Sequence, residues 1–127
     1  VGRPDAKYRL IDAEKRAVIA EIRAILIDYA KQGRTVTYSE LAQQIRTCAL
    51  HPHSFVFAHL LRAACQQAVD AGEGFLCALV VRRETGIPGA GYFRRDDLPP
   101  DLDTADLEAL WRHELEQVFA RWSSASD

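Results

Sequence analysis

The stretch 35–45, TVTYSELAQQI, constrains this chain more than any other part of it. The Thr37 hydroxyl can accept a hydrogen bond from the backbone N–H of Glu40, and the Glu40 carboxylate can accept one from the N–H of Thr37. Four residues thus carry both halves of a capping box. Val36 before the cap and Leu41 after it form a hydrophobic staple, which sets the angle at which the chain runs into a helix. Leu41, Ala42 and Ile45 then give that helix one apolar edge. The stretch reads as an extended run passing directly into a short helix.

The flanking sequence supplies longer elements. Asp12 is the expected N-cap of a first helix over about 13–31, ended by Gly33. Its stripe is Ile11, Val18, Ile22, Ile25 and Tyr29, widened by Ile19 and Leu26. Residues 46–53, RTCALHPH, read as a polar turn, with Pro52 stopping the short helix. Ser54 can cap the next helix, over about 55–71, which Gly72 ends. Phe57, Leu61, Ala64 and Ala68 form its buried stripe, supported by Leu60 and Val69. Phe55, His59, Arg62 and Gln66 fall on the opposite face.

Residues 74–82, GFLCALVVR, form an apolar run of strand length with β-branched residues at its end. The glycines and Pro88 in 83–91 require a turn, and Tyr92 and Phe93 are expected to return as a second strand. This predicts a β-hairpin with Arg82, Arg83, Arg94 and Arg95 at its base. Pro99 and Pro100 stiffen a linker over 96–103. A last helix over about 104–122, capped by Asp103, carries Leu107, Leu110, Trp111, Leu115, Val118, Phe119 and Trp122 on one stripe.

Helix, short strand, helix, turn, helix, hairpin is the order of a winged helix-turn-helix. The expected fold class is therefore α+β, mainly helical: a winged helix-turn-helix with an added C-terminal amphipathic helix. The expected division is a flexible arm over 1–9, the winged-helix domain over 10–95, the linker, and a helical segment 104–127. That last helix would lie on the same domain or on a second subunit, with a homodimer held through Leu107, Trp111, Val118 and Trp122.

With 127 residues, 48% of them apolar, the chain can bury one core as a single domain. Its longest apolar runs are too short to span a bilayer, and no secretory leader is visible, so a cytoplasmic protein is expected. Cys48, Cys65 and Cys77 are odd in number and widely spaced, which argues for reduced thiols rather than a disulfide framework. The net charge of −2 is unevenly spread. Residues 1–95 hold 14 Lys and Arg against 9 Asp and Glu, a net +5, whereas residues 96–127 hold 2 against 9, a net −7. A mildly basic body with an acidic tail is compatible with a nucleic-acid face on the body.

The residue types that carry chemistry are sparse. Cys48, His51 and His53 are zinc-competent, but three ligands without a second cysteine pair match no zinc signature and read as turn residues. Cys77 lies in an apolar run, where burial leaves a thiol inert. No catalytic, cofactor or metal site is expected. Arg62 and Gln66 are types that read guanine and adenine edges from a helix in the major groove, and His59 beside them can contact phosphate or base.

The segment VTYSELA resembles the opening of the helix-turn-helix in the DNA-binding domain of alkylguanine-DNA alkyltransferases and alkyltransferase-like proteins. LCALVV, with Cys77 second, can be laid on that family's acceptor-thiol run. Here Leu76, Ala78 and Leu79 stand where the family has proline, histidine and arginine. The resemblance therefore implies the architecture and DNA contact, with Tyr38 at a backbone phosphate, and does not imply alkyl transfer. The resulting expectation is non-enzymatic binding of duplex DNA by a bacterial regulator or accessory factor. Arg62 and Gln66 would read bases, and Arg82 and Arg94 would contact phosphates. The alternative is a protein–protein interaction module on the same scaffold.

Overall fold

The computed structural model describes residues 10–93, 98 and 101–125. The expected arm, Arg94, Arg95 and most of the linker lie outside the described residues. The fold is mainly helical with one small sheet: α1 (Asp12–Gln32), β1 (Val36–Thr37), α2 (Tyr38–Gln43), α3 (Phe55–Asp70), a 3-10 turn at Leu76–Leu79, β2 (Val80–Val81), a second 3-10 turn at Ala90–Phe93, and α4 (Thr104–Ala125).

Local chemistry sets the helix ends. Thr37 Oγ1 accepts from the Glu40 N–H at 3.1 Å, and Glu40 Oε1 accepts from the Thr37 N–H at 3.0 Å, so the capping box forms as expected. The staple residues Val36 and Leu41 are both buried. Ser54 Oγ accepts from the Phe57 N–H and caps α3. Asp103 Oδ1 accepts from the Asp106 N–H at the start of α4. The expected cap of α1 is corrected: Ile11 occupies the cap position, and Glu14 Oε1 accepts its N–H at 3.0 Å. Asp12 becomes the first helical residue, where its charge suits the helix dipole. Gly33, at φ 69°, turns the chain out of α1 in the left-handed region.

The core lies where α1, α3 and the first 3-10 turn meet. Val18, Ile22, Leu26 and Ala30 line α1 at strict four-residue spacing, and Ile11, expected on that stripe, is half exposed. Phe57, Leu60, Leu61, Ala64, Cys65 and Ala68 bury one side of α3. Glu21 ties α1 to the turn between α2 and α3: its carboxylate accepts from the N–H groups of Arg46 at 2.7 Å and Thr47 at 3.2 Å, and from the Thr47 hydroxyl.

The expected hairpin over 74–93 is corrected. β2 pairs with β1, and the pairing is parallel, with Val36 opposite Val80 and Thr37 opposite Val81. Leu76, Ala78 and Leu79 are all fully buried, which a single tight turn achieves and an alternating strand does not. Trp111 Nε1 donates to the Ala78 carbonyl at 2.9 Å and takes that group away from any ladder. The chain does reverse at 82–87, where the Arg82 N–H donates to Ile87 O and the Gly86 N–H to Arg82 O, each at 2.8 Å. Pro88 follows, without an N–H to extend a ladder, and Tyr92 and Phe93 close a 3-10 turn instead of a strand.

The expectation of reduced thiols is also corrected. Cys65 and Cys77 form a disulfide across 12 residues of sequence, with Cα atoms 5.6 Å apart; Cys48 is free and buried. Widely spaced cysteines meet here because α3 runs back along the first 3-10 turn. In chain-entropy terms, closing a loop of this size contributes about 3 kcal/mol.

α4 packs on α1 and on the first 3-10 turn. Trp111 and Val118 are buried within the single chain, and Trp122 Nε1 donates to the Glu73 carbonyl at 2.9 Å. The apolar stripe is thus largely covered without a second copy. Trp111→Ala should cost about 3–5 kcal/mol of unfolding free energy. Urea unfolding followed by far-UV circular dichroism measures it, and a loss below about 1 kcal/mol would show that the ring is no part of the core.

Candidate nucleic-acid interface

The sequence-derived site residues fall into two groups. The first is the outer face of α3. Because one side of this helix is buried, Phe55, His59, Arg62 and Gln66 emerge on the other, and all four are exposed. Phe55, the first residue of α3, is 95% exposed. Among the described residues Arg62 has no ion-pair partner. Gln66 Nε2 donates to Asp70 Oδ1 at 3.0 Å. A carboxamide has two N–H groups, so this bond holds the side chain in place and leaves one N–H and the oxygen to meet a partner.

The second group surrounds the start of α2. Tyr38 and Arg82 each follow the last paired residue of their strand, so the parallel register brings them side by side. The Gly89 N–H donates to the Tyr38 hydroxyl at 3.0 Å. A Cβ on Gly89 would lie 3.3 Å from that oxygen, so the approach favours glycine. Burial pushes the Tyr38 phenol up from its ordinary pKa, opposed by the Gly89 N–H and the Arg82 charge. Tyr38 is therefore a neutral, half-buried phenol at physiological pH, with its hydroxyl proton free to donate outward. Arg82 is exposed and lies 3.7 Å from the exposed Glu84, a pairing that water screens strongly. Arg83 is exposed as well, and both it and Arg34 stabilise the charged form of Glu40. The expectation that Arg82 and Arg83 alternate across a strand does not apply, because β2 ends at Val81. Arg94 lies outside the described residues.

The remaining candidates do not combine into chemistry. Cys48 is buried, and its thiol pKa is raised by burial and by the nearby charges of Glu14 and Glu21. His51 and His53 are exposed, and His51 Nδ1 accepts the His53 N–H. Two features escaped sequence reading. The Glu21 anchor of the turn is a contact across 25 residues with no local signature. The Gly89–Tyr38 bond spans 51 residues and depends on the parallel pairing.

Comparison with known proteins adds no kinship: no protein family, no curated protein and no solved structure matches this chain.

The Glu40 carboxyl is held below its ordinary pKa, first by the Thr37 N–H and then by the Thr37 hydroxyl. A lowered folded-state pKa means stability that is present above the unfolded carboxylate value and is lost as pH falls through the lower folded value. Wild type should therefore exceed Glu40→Gln in stability by up to about 0.5 kcal/mol at pH 7. Paired thermal melts at pH 7 and pH 3 check this: the gap should close at the lower pH, and an unchanged gap would exclude the charge as its cause.

Proposed function

We propose that this domain binds duplex DNA without catalysis, using α2 and α3 as a helix-turn-helix and the segment from Val80 to Gly89 in the place of a wing. The observation that carries the reading is the outer face of α3, where Arg62, an oriented Gln66, His59 and a nearly fully exposed Phe55 stand together. Arg and Gln can each make two hydrogen bonds to a base edge, to guanine and adenine respectively, and an aromatic ring offers an apolar contact to thymine. Tyr38 and Arg82 supply a neutral hydroxyl and a cation at one point, a combination suited to a phosphate oxygen. A regulator or accessory factor with modest affinity fits this small complement of cations. A homodimer reading two half-sites would leave the α4 core positions Trp111 and Val118 in place and join through the exposed remainder of that helix.

A second reading, a protein-interaction module, is favoured by one observation: Phe55 is a large apolar ring fully offered to solvent, on a helix whose charged residues nearly balance. Such a ring can anchor a protein contact.

The two readings separate in solution. Labelled duplexes of mixed sequence, titrated at low ionic strength, should bind at micromolar levels and release steeply as salt rises. Arg82→Ala should weaken every duplex alike and flatten the salt dependence. Arg62→Ala or Gln66→Ala should cost about 1–3 kcal/mol on a preferred site and little on random sequence. If no duplex binds below roughly 100 micromolar, the weak limit of non-specific binding, the DNA reading fails and the protein-partner reading takes its place.

A further inference from the structure

We propose that the Cys65–Cys77 disulfide is a thiol–disulfide exchange site that clamps α3 against the segment leading to Arg82, so that a cellular dithiol can loosen the binding face without unfolding the domain. The consequence for DNA rests on the reading above; the clamp itself does not. The bond's position carries the argument. Cys65 sits on the buried side of α3, three residues after Arg62 and next to Gln66. Cys77 sits in the first 3-10 turn, which runs directly into β2 and then Arg82. One covalent link thus joins the helix proposed to meet bases to the strand proposed to meet phosphate.

The two ends differ in access. Cys65 is 4% exposed, whereas Cys77 is only partly buried, so an incoming thiolate has a route to the Cys77 sulfur. Attack there leaves Cys65 as the departing thiolate and forms a mixed disulfide at Cys77. The second thiol of the reductant then closes its own disulfide and releases Cys77. Two electrons pass from the dithiol, and two protons complete the protein thiols. Cys48 does not compete as an internal attacker, since burial and two nearby carboxylates hold it in the thiol form.

Other contacts hold the 3-10 turn in place once the bond is open. Arg23 pairs with Glu73 through two hydrogen bonds, at 3.1 and 2.8 Å. Trp122 donates to the Glu73 carbonyl and Trp111 to the Ala78 carbonyl. These tie the turn to α1 and α4. The described contacts from α3 to the turn are packing and the disulfide, so opening the bond leaves α3 as the element with new freedom.

The test uses the whole chain, folded, with and without dithiothreitol. Alkylation with iodoacetamide and mass analysis should show Cys65 and Cys77 modified after native reduction. Amide exchange over α3 should quicken about tenfold while far-UV circular dichroism is retained. The double variant Cys65→Ala with Cys77→Ala should match the reduced protein, and affinity for a mixed-sequence duplex should fall about fivefold in both. Cysteines that resist dithiothreitol until denaturant is added would overturn the proposal, as would reduced protein with unchanged exchange over α3. Should exchange quicken while neither form binds duplex, the clamp is upheld and the DNA reading is what fails.

Discussion

The packing of α3 against α1 and the first 3-10 turn is the constraint on which the rest of this structure depends. Phe57, Leu60, Leu61, Ala64, Cys65 and Ala68 are committed to the core, and they meet Val18, Ile22 and Leu26 of α1. A helix buried along one side has to present the other, which is why His59, Arg62 and Gln66 share an outward face. The two-residue parallel sheet acts as a fastener for this arrangement. Parallel strands need a crossover between them, and here the crossover contains α2, the turn and α3. Pairing Val36 with Val80 therefore closes a loop around the proposed binding helix and sets Tyr38 beside Arg82.

What could be read from the sequence was local. Thr37 and Glu40 are three residues apart and make their two bonds whatever the rest of the chain does, so the capping box was legible. The stripes on α1, α3 and α4 were legible because burial repeats with the helical period. The segment LCALVV was not. Its continuous apolar character fits a buried strand and a buried turn equally well, and the choice was made by Trp111, which takes the Ala78 carbonyl from 33 residues away. The disulfide was hidden for the same reason: nothing in the spacing of three cysteines tells which two a fold will bring together. Of the proposed site, the α3 face was legible from periodicity, whereas the contact of Gly89 with Tyr38 needed the parallel register.

The charge asymmetry of the chain has a place in this account. The acidic residues of α4 lie on a helix that packs on α1 and the first 3-10 turn, and its tryptophans are spent on backbone carbonyls. The cations near the start of α2, Arg34, Arg82 and Arg83, stand around Glu40 and Tyr38. Long-range attraction to a polyanion is accordingly weak, and recognition has to come from short-range contacts on α3.

The central claim is that the outer face of α3 and the Tyr38–Arg82 point together meet a DNA duplex. Amide chemical-shift mapping of the isotope-labelled chain during titration with a mixed-sequence duplex tests it most directly. The account predicts shifts concentrated on 54–66 and on Tyr38, Arg82 and Gly89, with α4 unmoved. Shifts confined to α4, or none at all at millimolar duplex, would contradict it.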